Sequence, residues 1–437
     1  MMFEKIERKN IVRAVTMLIL VSAPSVMADP LTLNELVNIT MQNNPGIKVA
    51  EEGVVQKELA LDNEMIAQRP ATITLSGSSS ETVNDLFGGT GSQNSVGTGT
   101  TGLTFSKTLY QYKGGALTAK EQKARETLEK EKLTLLRKKQ SLRKQVQHAY
   151  LDLLKAYADQ QEDEMSLERL REQSRISTIF YEQGSAWKNE VLQSEVTIAQ
   201  AEKGLFASQN SIRTTEATLN QLMDRNIDAE LKVSGELTKL SIDVDWSMLE
   251  KQMALKEHPD IISAILAKQI TARDVIIKKA AGAPDLSLKG SYDRDYNFAK
   301  GVAAKDNLAL NLSITWQLWD SGKTDKDLAI SRSKDAKTRV QIREKEQAIF
   351  LAVRSGWYSL QEAENQIEVL GRALESAKEN YRVNQVRYQE QLGSSNDLLS
   401  AQDLLSTSKK SWLAAIAQYN KALYTLQYEL GMDELIF

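Results

Sequence analysis

Cysteine is absent from the 437-residue sequence, and histidine occurs only twice, at His148 and His258. Without cysteine the chain has no disulfide, no thiolate metal site, no catalytic thiol and no lipid-modified cysteine. Two histidines are too few for a three-histidine zinc site. We therefore expect no metal, no cofactor and no catalytic residue, and the chain is not predicted to be an enzyme.

Neither positive nor negative charge dominates the sequence. It has 55 Lys and Arg residues and 58 Asp and Glu residues, for a formal net charge of -3. A near-neutral chain has no general electrostatic reason to bind nucleic acid, so no nucleic-acid partner is expected. Hydrophobic residues make up 41% of the chain, a share that is ordinary for a folded protein and argues against disorder.

Long apolar runs are also missing, and the most apolar segment lies near the N-terminus. Residues 14–21 are apolar apart from one threonine, basic residues precede them, and a V-x-A cleavage pattern ends at Ala28. The run is far shorter than the roughly 20 residues of a membrane-spanning helix. The pattern predicts a secretory signal peptide over residues 1–28 and export of the rest of the chain.

The few prolines show that the chain contains a duplication. Four of the six form two pairs that are each separated by 214 residues, namely Pro45 with Pro259 and Pro70 with Pro284. At an offset of 207 residues, Tyr181 precedes Glu190 as Tyr388 precedes Asp397. The first copy is therefore longer by seven residues, which the polar segment 88–99 accounts for. The pattern predicts two structural repeats, residues 29–236 and 237–437.

Alternation of apolar and polar residues with a period of two predicts four strands, two in each repeat. The clearest alternation places apolar side chains at Leu308, Leu310, Leu312, Ile314, Trp316 and Leu318. The predicted hairpins span residues 70–112 and 285–319, and their polar linkers, 81–100 and 297–306, are expected to be exposed loops. Strands of about 10–13 residues have the length that membrane β-strands require.

Proline-free segments with apolar residues every seven positions predict very long helices over residues 117–183 and 323–391. Turns near 184–189 and 391–396 separate them from two further helices. A strict heptad repeat indicates helices packed lengthwise with a slight supercoil. An exported coiled-coil protein, such as an adhesin stalk, is the alternative function, but it leaves the four amphipathic strands without a role.

Four strands are too few to close a membrane barrel, which needs eight or more. Open strand edges are not tolerated in lipid, because their N–H and C=O groups have no partner there. Other copies of the chain must therefore complete the barrel, as a dimer, trimer or tetramer. Trp316 and Trp319, near the end of the last strand, are predicted to lie at the membrane interface, with packing at the strand–helix junction as the alternative.

This order of elements, repeated twice, resembles the TolC-type outer membrane factors, which are ducts of efflux pumps and type I secretion systems. The residues that carry the resemblance are LTLNEL at 31–36 with Asn44-Pro45, YEQG at 181–184, and Asp397-Leu398-Leu399 with Ala401. The resemblance implies a mixed, mostly α fold. Three protomers would form a twelve-stranded transmembrane β-barrel and an α-barrel of long coiled-coil helices. It also implies a passive channel in the Gram-negative outer membrane that extends into the periplasm.

The partners that the resemblance implies are a periplasmic adaptor (membrane fusion) protein, an inner membrane transporter, outer membrane lipid and two further copies of the chain. Contact with the adaptor and transporter would open the channel. Adaptor docking is expected at the helix turns, through Tyr181, Gly184, Ser185, Glu190, Gly393 and Ser394. A narrow periplasmic aperture is expected at Asp397, Tyr388 and Gly393.

The second turn departs from the family pattern at three positions. Gln391 stands where a glycine is expected, Gly393 where some members carry an arginine, and Ser400 where some carry a second aspartate. The arginine lock and the double acidic ring of those members are therefore not expected here.

Two of the implied site assignments have alternatives in the residues themselves. Tyr181 and Tyr388 have the heptad phase of core residues. Glu190 and Asp397 could be carboxylates at helix starts, where the helix dipole favours negative charge.

Overall fold

The computed structural model describes residues 30–83, 95–241, 258–297 and 302–432. The predicted signal peptide, 1–28, and the middle of the predicted loop 81–100 lie outside the described residues. Among the helices that the model describes, none has the length and apolar character needed to cross a membrane.

Four antiparallel strands form one sheet in the order β1-β2-β3-β4. Their bounds are Ala71–Val83 for β1, Ser95–Lys113 for β2, Asp285–Asn297 for β3 and Val302–Thr315 for β4. The central pairing, β2 with β3, joins the two repeats, with Lys113 opposite Asp285 and Thr100 opposite Asn297. Within the described residues the sheet is open at β1 on one side and at β4 on the other.

The strands differ from the prediction at their ends. β1, β2 and β4 extend into the segments 81–100 and 297–306, which were expected to be loops. Polar and small residues take part there because the ladder is made by backbone groups and needs no apolar side chain. At the other end β4 stops at Thr315, so the alternation from Trp316 to Leu318 continues beyond the strand.

The register places apolar side chains on one face of the sheet and polar ones on the other. Along one rung Ile73 pairs with Phe105, Phe105 with Tyr292, and Tyr292 with Leu308. The large apolar residues of this face are exposed in the protomer, including Leu75, Leu308, Leu310, Leu312 and Ile314. The other face carries Ser, Thr and Asn residues such as Ser106, Ser291 and Asn311.

Seven helices are described. Their bounds are Leu33–Asn43 for α1, Pro45–Ala67 for α2, Ala116–Glu182 for α3, Lys188–Leu222 for α4, Pro259–Ala280 for α5, Lys323–Gln389 for α6 and Ser395–Glu429 for α7. The two longest, α3 and α6, each have 67 residues and extend ~100 Å. They confirm the long helices predicted over 117–183 and 323–391 to within two residues.

The helices form a layer that is four elements wide at two levels. Near the sheet α2 packs against α3, α3 against α5, and α5 against α6. Beyond the middle of α3 and α6 the neighbours are α4 with α3, α3 with α7, and α7 with α6. Because α3 and α6 run through both levels, the layer has the same two edges throughout, α2 and α4 on one side and α6 on the other.

Two hydrophobic clusters lie at the middle of the layer, one in each repeat. The first contains Leu36, Val146, Leu153 and Leu219, and the second contains Ile261, Val353, Leu360 and Leu423. Equivalent helix starts flank them, because Asn44 caps α2 and His258 caps α5, each immediately before the proline of its repeat. Pro45 and Pro259 therefore occupy the first position of their helices, where the missing N–H of proline costs nothing.

Candidate functional site

The two helix turns, far from the sheet, have the same hydrogen bonds. In the α3–α4 turn the Ser185 N–H donates to the Phe180 carbonyl over 2.8 Å. In the α6–α7 turn the Leu392 N–H donates to the Arg387 carbonyl over 2.7 Å. In both bonds the donor follows the acceptor by five residues, a pattern with which helices commonly end. The donors, like the acceptors, are 207 residues apart.

Gln391 takes the left-handed backbone conformation that the corresponding glycine takes in the first turn. The φ angle is 75° at Gly184 and 59° at Gln391. A residue with a Cβ is strained in this conformation, whereas glycine is not. The sequence departure at Gln391 therefore leaves the turn geometry intact but makes the second turn less stable than a glycine would.

Gly393 lies where the turn closely approaches the end of α6. A Cβ added at Gly393 would lie 3.2 Å from the Arg387 Cβ and 3.4 Å from the Tyr388 backbone nitrogen. Both contacts are tighter than usual, and the second is with backbone. A side chain at 393 would require these neighbours to shift by a few tenths of an ångström.

The exposed surface of the turns contains two large apolar residues that the sequence analysis missed. Trp187 is 79% exposed and Leu392 is 72% exposed, while Tyr181 is 43% exposed. Gly184, Ser185 and Ser394 are exposed as well. Both missed residues lie inside predicted polar turns, where a large apolar side chain was itself a signal of a binding surface.

Tyr388 is an interior residue of the protomer, with 3% of its surface exposed. Its hydroxyl lies 2.9 Å from the Ser177 hydroxyl of α3, and its ring centroid lies 5.6 Å from that of Phe180. Tyr388 therefore has, within the protomer, the packing role that its heptad phase allowed, and it links α6 to α3.

Asp397 is exposed in the first turn of α7, but it is not the residue that caps the helix. The cap is Ser394, whose hydroxyl accepts from the Asp397 N–H over 3.1 Å. Asp397 is therefore a carboxylate in the first turn of α7, which is the position that the alternative from the sequence gave it. Glu190 has the same position in α4. The capping residue there is Trp187, whose side chain accepts no hydrogen bond from the start of the helix.

At the opposite end of the long helices, Trp316 and Trp319 follow β4 and precede α6. Trp319 is 82% exposed. The Trp316 indole N–H donates to the Gly282 carbonyl at the end of α5 over 3.1 Å. This bond ties the nitrogen edge of the Trp316 indole to the end of α5, while 58% of the residue stays exposed.

The described residues contain no group of three or more His, Asp or Glu side chains that could hold a metal ion. His148 lies 3.2 Å from the Thr425 hydroxyl. Burial, together with the positive charges of Lys421 and Lys144, lowers the pKa of His148 below its usual value. A histidine packed between helices in this way acts as a structural residue.

Comparison with known proteins agrees with the architecture. A family model described as outer membrane efflux protein matches residues 36–225 and 251–432, which is most of the chain. The outer membrane efflux protein BepC of Brucella suis is 23% identical over 356 residues, which cover 77% of this chain and 74% of that protein.

Solved structures show the same protomer fold. The CmeC outer membrane channel of Campylobacter jejuni superposes with a TM-score of 0.78 at 18% identity, covering 91% of this chain and 85% of that one. An open-state structure of the MtrE outer membrane channel of Neisseria gonorrhoeae gives a TM-score of 0.76 at 18% identity, covering 92% and 89%. Both share its long helices and four antiparallel strands per chain.

Proposed function

The chain belongs to the outer membrane efflux protein family and is an outer membrane channel, and from this premise we propose that it is a passive, trimeric exit duct. An inner membrane transporter would supply the energy, through a periplasmic adaptor, in a tripartite efflux pump or a type I secretion system. The protein would bind no cofactor and carry out no reaction.

The observation that carries the proposal is that the protomer is incomplete along the same two edges at every level. One edge is formed by β1, α2 and α4, and the other by β4 and α6. Strand edges carry unpaired backbone groups, which lipid cannot satisfy. A second copy that places its β4 and α6 beside β1, α2 and α4 would satisfy them from the membrane to the turns.

The exposed side chains on the two helical edges support this arrangement. On α6 an apolar stripe runs along one side through Val340, Leu351, Tyr358 and Val369, which are all largely exposed. Residues 11 and 7 positions apart return to nearly the same angle of a helix. On α4 the exposed apolar residues are Leu192, Val196 and Phe206. Joining the two edges would bury both sets.

Closure by three copies gives twelve strands, within the range of known membrane barrels. The apolar face has a suitable height. Leu308 to Trp316 is about 27 Å along the chain, or about 21 Å across the membrane at a tilt of about 40°, close to the ~25 Å apolar band of such barrels. Trp316 and Trp319 would then lie at its periplasmic boundary, where tryptophan is enriched.

At the turns we propose that the exposed residues Tyr181, Ser185, Trp187, Leu392 and Ser394 form the surface that the adaptor contacts. Exposed apolar side chains in otherwise polar turns favour a protein partner. The positions of Gly184, Glu190 and Gly393 would shape the same surface. Asp397, which is exposed at the start of α7, would contribute one carboxylate per protomer to the aperture.

Cysteine crosslinking tests the assembly, because the native chain has no cysteine. We expect the double variant Leu75→Cys with Leu310→Cys, one position on each open strand edge, to form covalent trimers in isolated outer membranes with a long bis-maleimide. Each single variant is the matched control and should remain monomeric in SDS. Covalent species that stop at dimers in the double variant would contradict the trimer.

Planar bilayer recordings test the duct separately. The purified protein should give ion currents, which a coiled-coil stalk would not. Absence of any conductance from correctly assembled trimers would overturn the proposal.

A further inference from the structure

One lysine lies among the apolar side chains on the exposed apolar face of the sheet. Lys107 of β2 is exposed, and its partners in register are Ala71 of β1 and Gly290 of β3. Phe105 follows on the same face in one direction and Tyr110 in the other. Ionisable residues on a membrane-facing surface are costly, so each needs a partner that satisfies its charge.

Within the described residues, no carboxylate lies within ion-pair distance of Lys107. The acid at the helical end of the sheet, Asp285, is already paired with Lys113 over 3.1 Å. At the far end Asp306 is paired with Arg294 over 3.5 Å. The protomer therefore supplies no counter-ion for Lys107.

A second cation lies nearby without relieving the charge. Arg69 stands between the end of α2 and the start of β1, and it is exposed. The Thr108 N–H donates to the Pro70 carbonyl over 2.9 Å, which places the chain around Arg69 beside the chain around Lys107. In the part of the chain that the structure describes, Arg69 makes no ion pair either. Two neighbouring cations favour an anion between them.

Lys107 lies close enough to the membrane interface for its ammonium to approach the phosphate layer. Tyr110 lies three residues beyond Lys107 along β2, and Tyr112 follows it. Both tyrosines are exposed on the apolar face, and tyrosines are typical of the membrane interface. Three residues of tilted strand correspond to about 8 Å of depth. A lysine stem of roughly 6 Å can carry its ammonium most of the way back to that interface, as lysines in membranes do.

We propose that Lys107 and Arg69 bind the phosphate of an anionic phospholipid in the leaflet that faces the long helices. The inference rests on the proposed function for the membrane position of the sheet. The arginine would bind the phosphate oxygens through two N–H groups, and the lysine would contribute a point charge. Lys107 has only the methyl group of Ala71 and the side-chain-free Gly290 as its register partners, which leaves the lipid access to the ammonium.

The experiment measures phospholipid retained by the purified, delipidated protein in a nonionic detergent. Native mass spectrometry counts the bound palmitoyl-oleoyl phosphatidylglycerol, with phosphatidylethanolamine as the zwitterionic comparison. The variants are Lys107→Gln and Arg69→Gln. The matched control is Lys289→Gln, which removes the same charge one residue from Gly290 on the opposite, polar face.

We expect the parent and Lys289→Gln to bind phosphatidylglycerol equally and in preference to phosphatidylethanolamine. Each of the other two variants should lose about five-fold in affinity, the effect of one basic residue at an anionic membrane surface. Unchanged binding by Lys107→Gln, or an equal loss in Lys289→Gln, would overturn the site. Displacement of the lipid by inorganic phosphate would show a site for free anions and would also overturn it.

A neighbouring copy is the competing source of the counter-ion, because the β1 edge would meet another protomer. In nanodiscs of phosphatidylethanolamine alone, Lys107→Gln and the parent should dissociate to monomers at the same temperature. A lower temperature for Lys107→Gln there would assign the counter-ion to the neighbour and refute lipid binding. Channel currents from the same samples report separately on the duct, so its failure is distinguishable from that of the lipid site.

Discussion

His258 makes the start of α5 sensitive to acid. Its Nδ1 accepts from the Asp260 N–H over 3.2 Å, and its Nε2 lies 3.2 Å from the Glu429 carbonyl. A nitrogen that accepts cannot carry a proton, so the ring is neutral with its proton on Nε2, which donates to Glu429. Protonation of Nδ1 would abolish the cap.

The environment of His258 resists protonation. Burial lowers its pKa, and so do the positive charges of Arg137 on α3 and Lys345 on α6, while Asp260 and the Glu429 carbonyl act in the opposite direction. Arg137 and Lys345 both pair with Asp260, at 3.1 and 3.2 Å, which limits the opposing effect of that carboxylate. The net direction is a pKa below the usual 6.5.

The sign of the pH effect follows from this direction. Because the folded pKa is lowered, the contribution of His258 to stability is complete above pH 6.5 and is lost as the pH falls towards the folded pKa. One such group changes the free energy of unfolding by at most about 1.4 kcal/mol per pH unit. A helix cap is itself worth about 0.5–2 kcal/mol, so a loss of this order per protomer is expected once the pH has fallen below the folded pKa.

His258→Asn is the perturbation that isolates this contribution, because Asn44 caps the corresponding helix α2 by accepting from the Gly46 N–H over 2.9 Å. The variant keeps a cap that does not titrate but loses the bond to Glu429, which should cost about 0.5–1.5 kcal/mol at pH 8. Thermal unfolding followed by circular dichroism between pH 8 and 5 should show this difference closing or reversing on acidification.

His148→Gln is the control, since it removes the other histidine with a lowered pKa without touching a helix cap. The pH dependence of the unfolding temperature of this variant should match that of His258→Asn only if the burial of a histidine, and not the loss of a helix cap, causes the acid sensitivity. Parallel pH dependences of the parent and His258→Asn would refute the assigned tautomer and the acid sensitivity of the cap.

Three further outcomes are expected. Gln391→Gly should stabilise the second turn by about 1 kcal/mol and Gly184→Ala should destabilise the first by a similar amount, measured by thermal unfolding; a loss in both would contradict the left-handed geometry. Asp397→Ala should weaken cation selectivity and block by multivalent cations in single-channel recordings, with Glu190→Ala as the comparison, and identical selectivity of Asp397→Ala and the parent would remove the acidic ring. An epitope inserted at Gly91, in the segment 81–98, should bind antibody on intact cells. The middle of this segment lies outside the described residues. Failure of the tagged protein to assemble would count against an exposed loop.

Local patterns were sufficient to predict the types of the elements and the lengths of the two longest helices. The absence of proline between residues 117 and 183 allowed one helix, and the structure has one over Ala116–Glu182. The alternation around Leu310 predicted a strand, and β4 contains it. These features follow from periods of 3.6 and 2 residues, which are properties of the backbone and need no distant contact.

The roles of individual residues at the turns could not be predicted in the same way. Tyr388 has the heptad phase of a core residue, but only the tertiary structure shows that its partner is Ser177 on a distant helix. Asp397 has the sequence position of a carboxylate at a helix start, but only the 3.1 Å bond from its N–H to the Ser394 hydroxyl identifies Ser394 as the cap. Trp187 is exposed because it lies in the turn between the end of α3 and the start of α4.

The sequence by itself determined the duplication, the four amphipathic strands, the two very long helices and the need for further copies, because hydrophobic periodicity and proline spacing are encoded locally. Only the tertiary structure decided that β2 pairs with β3 across the two repeats, that α3 and α6 give the protomer the same edges at every level, and that Lys107 lies between Ala71 and Gly290. Strand register and helix neighbours depend on contacts between residues far apart in the chain, and a shift of one residue would exchange the faces of a strand.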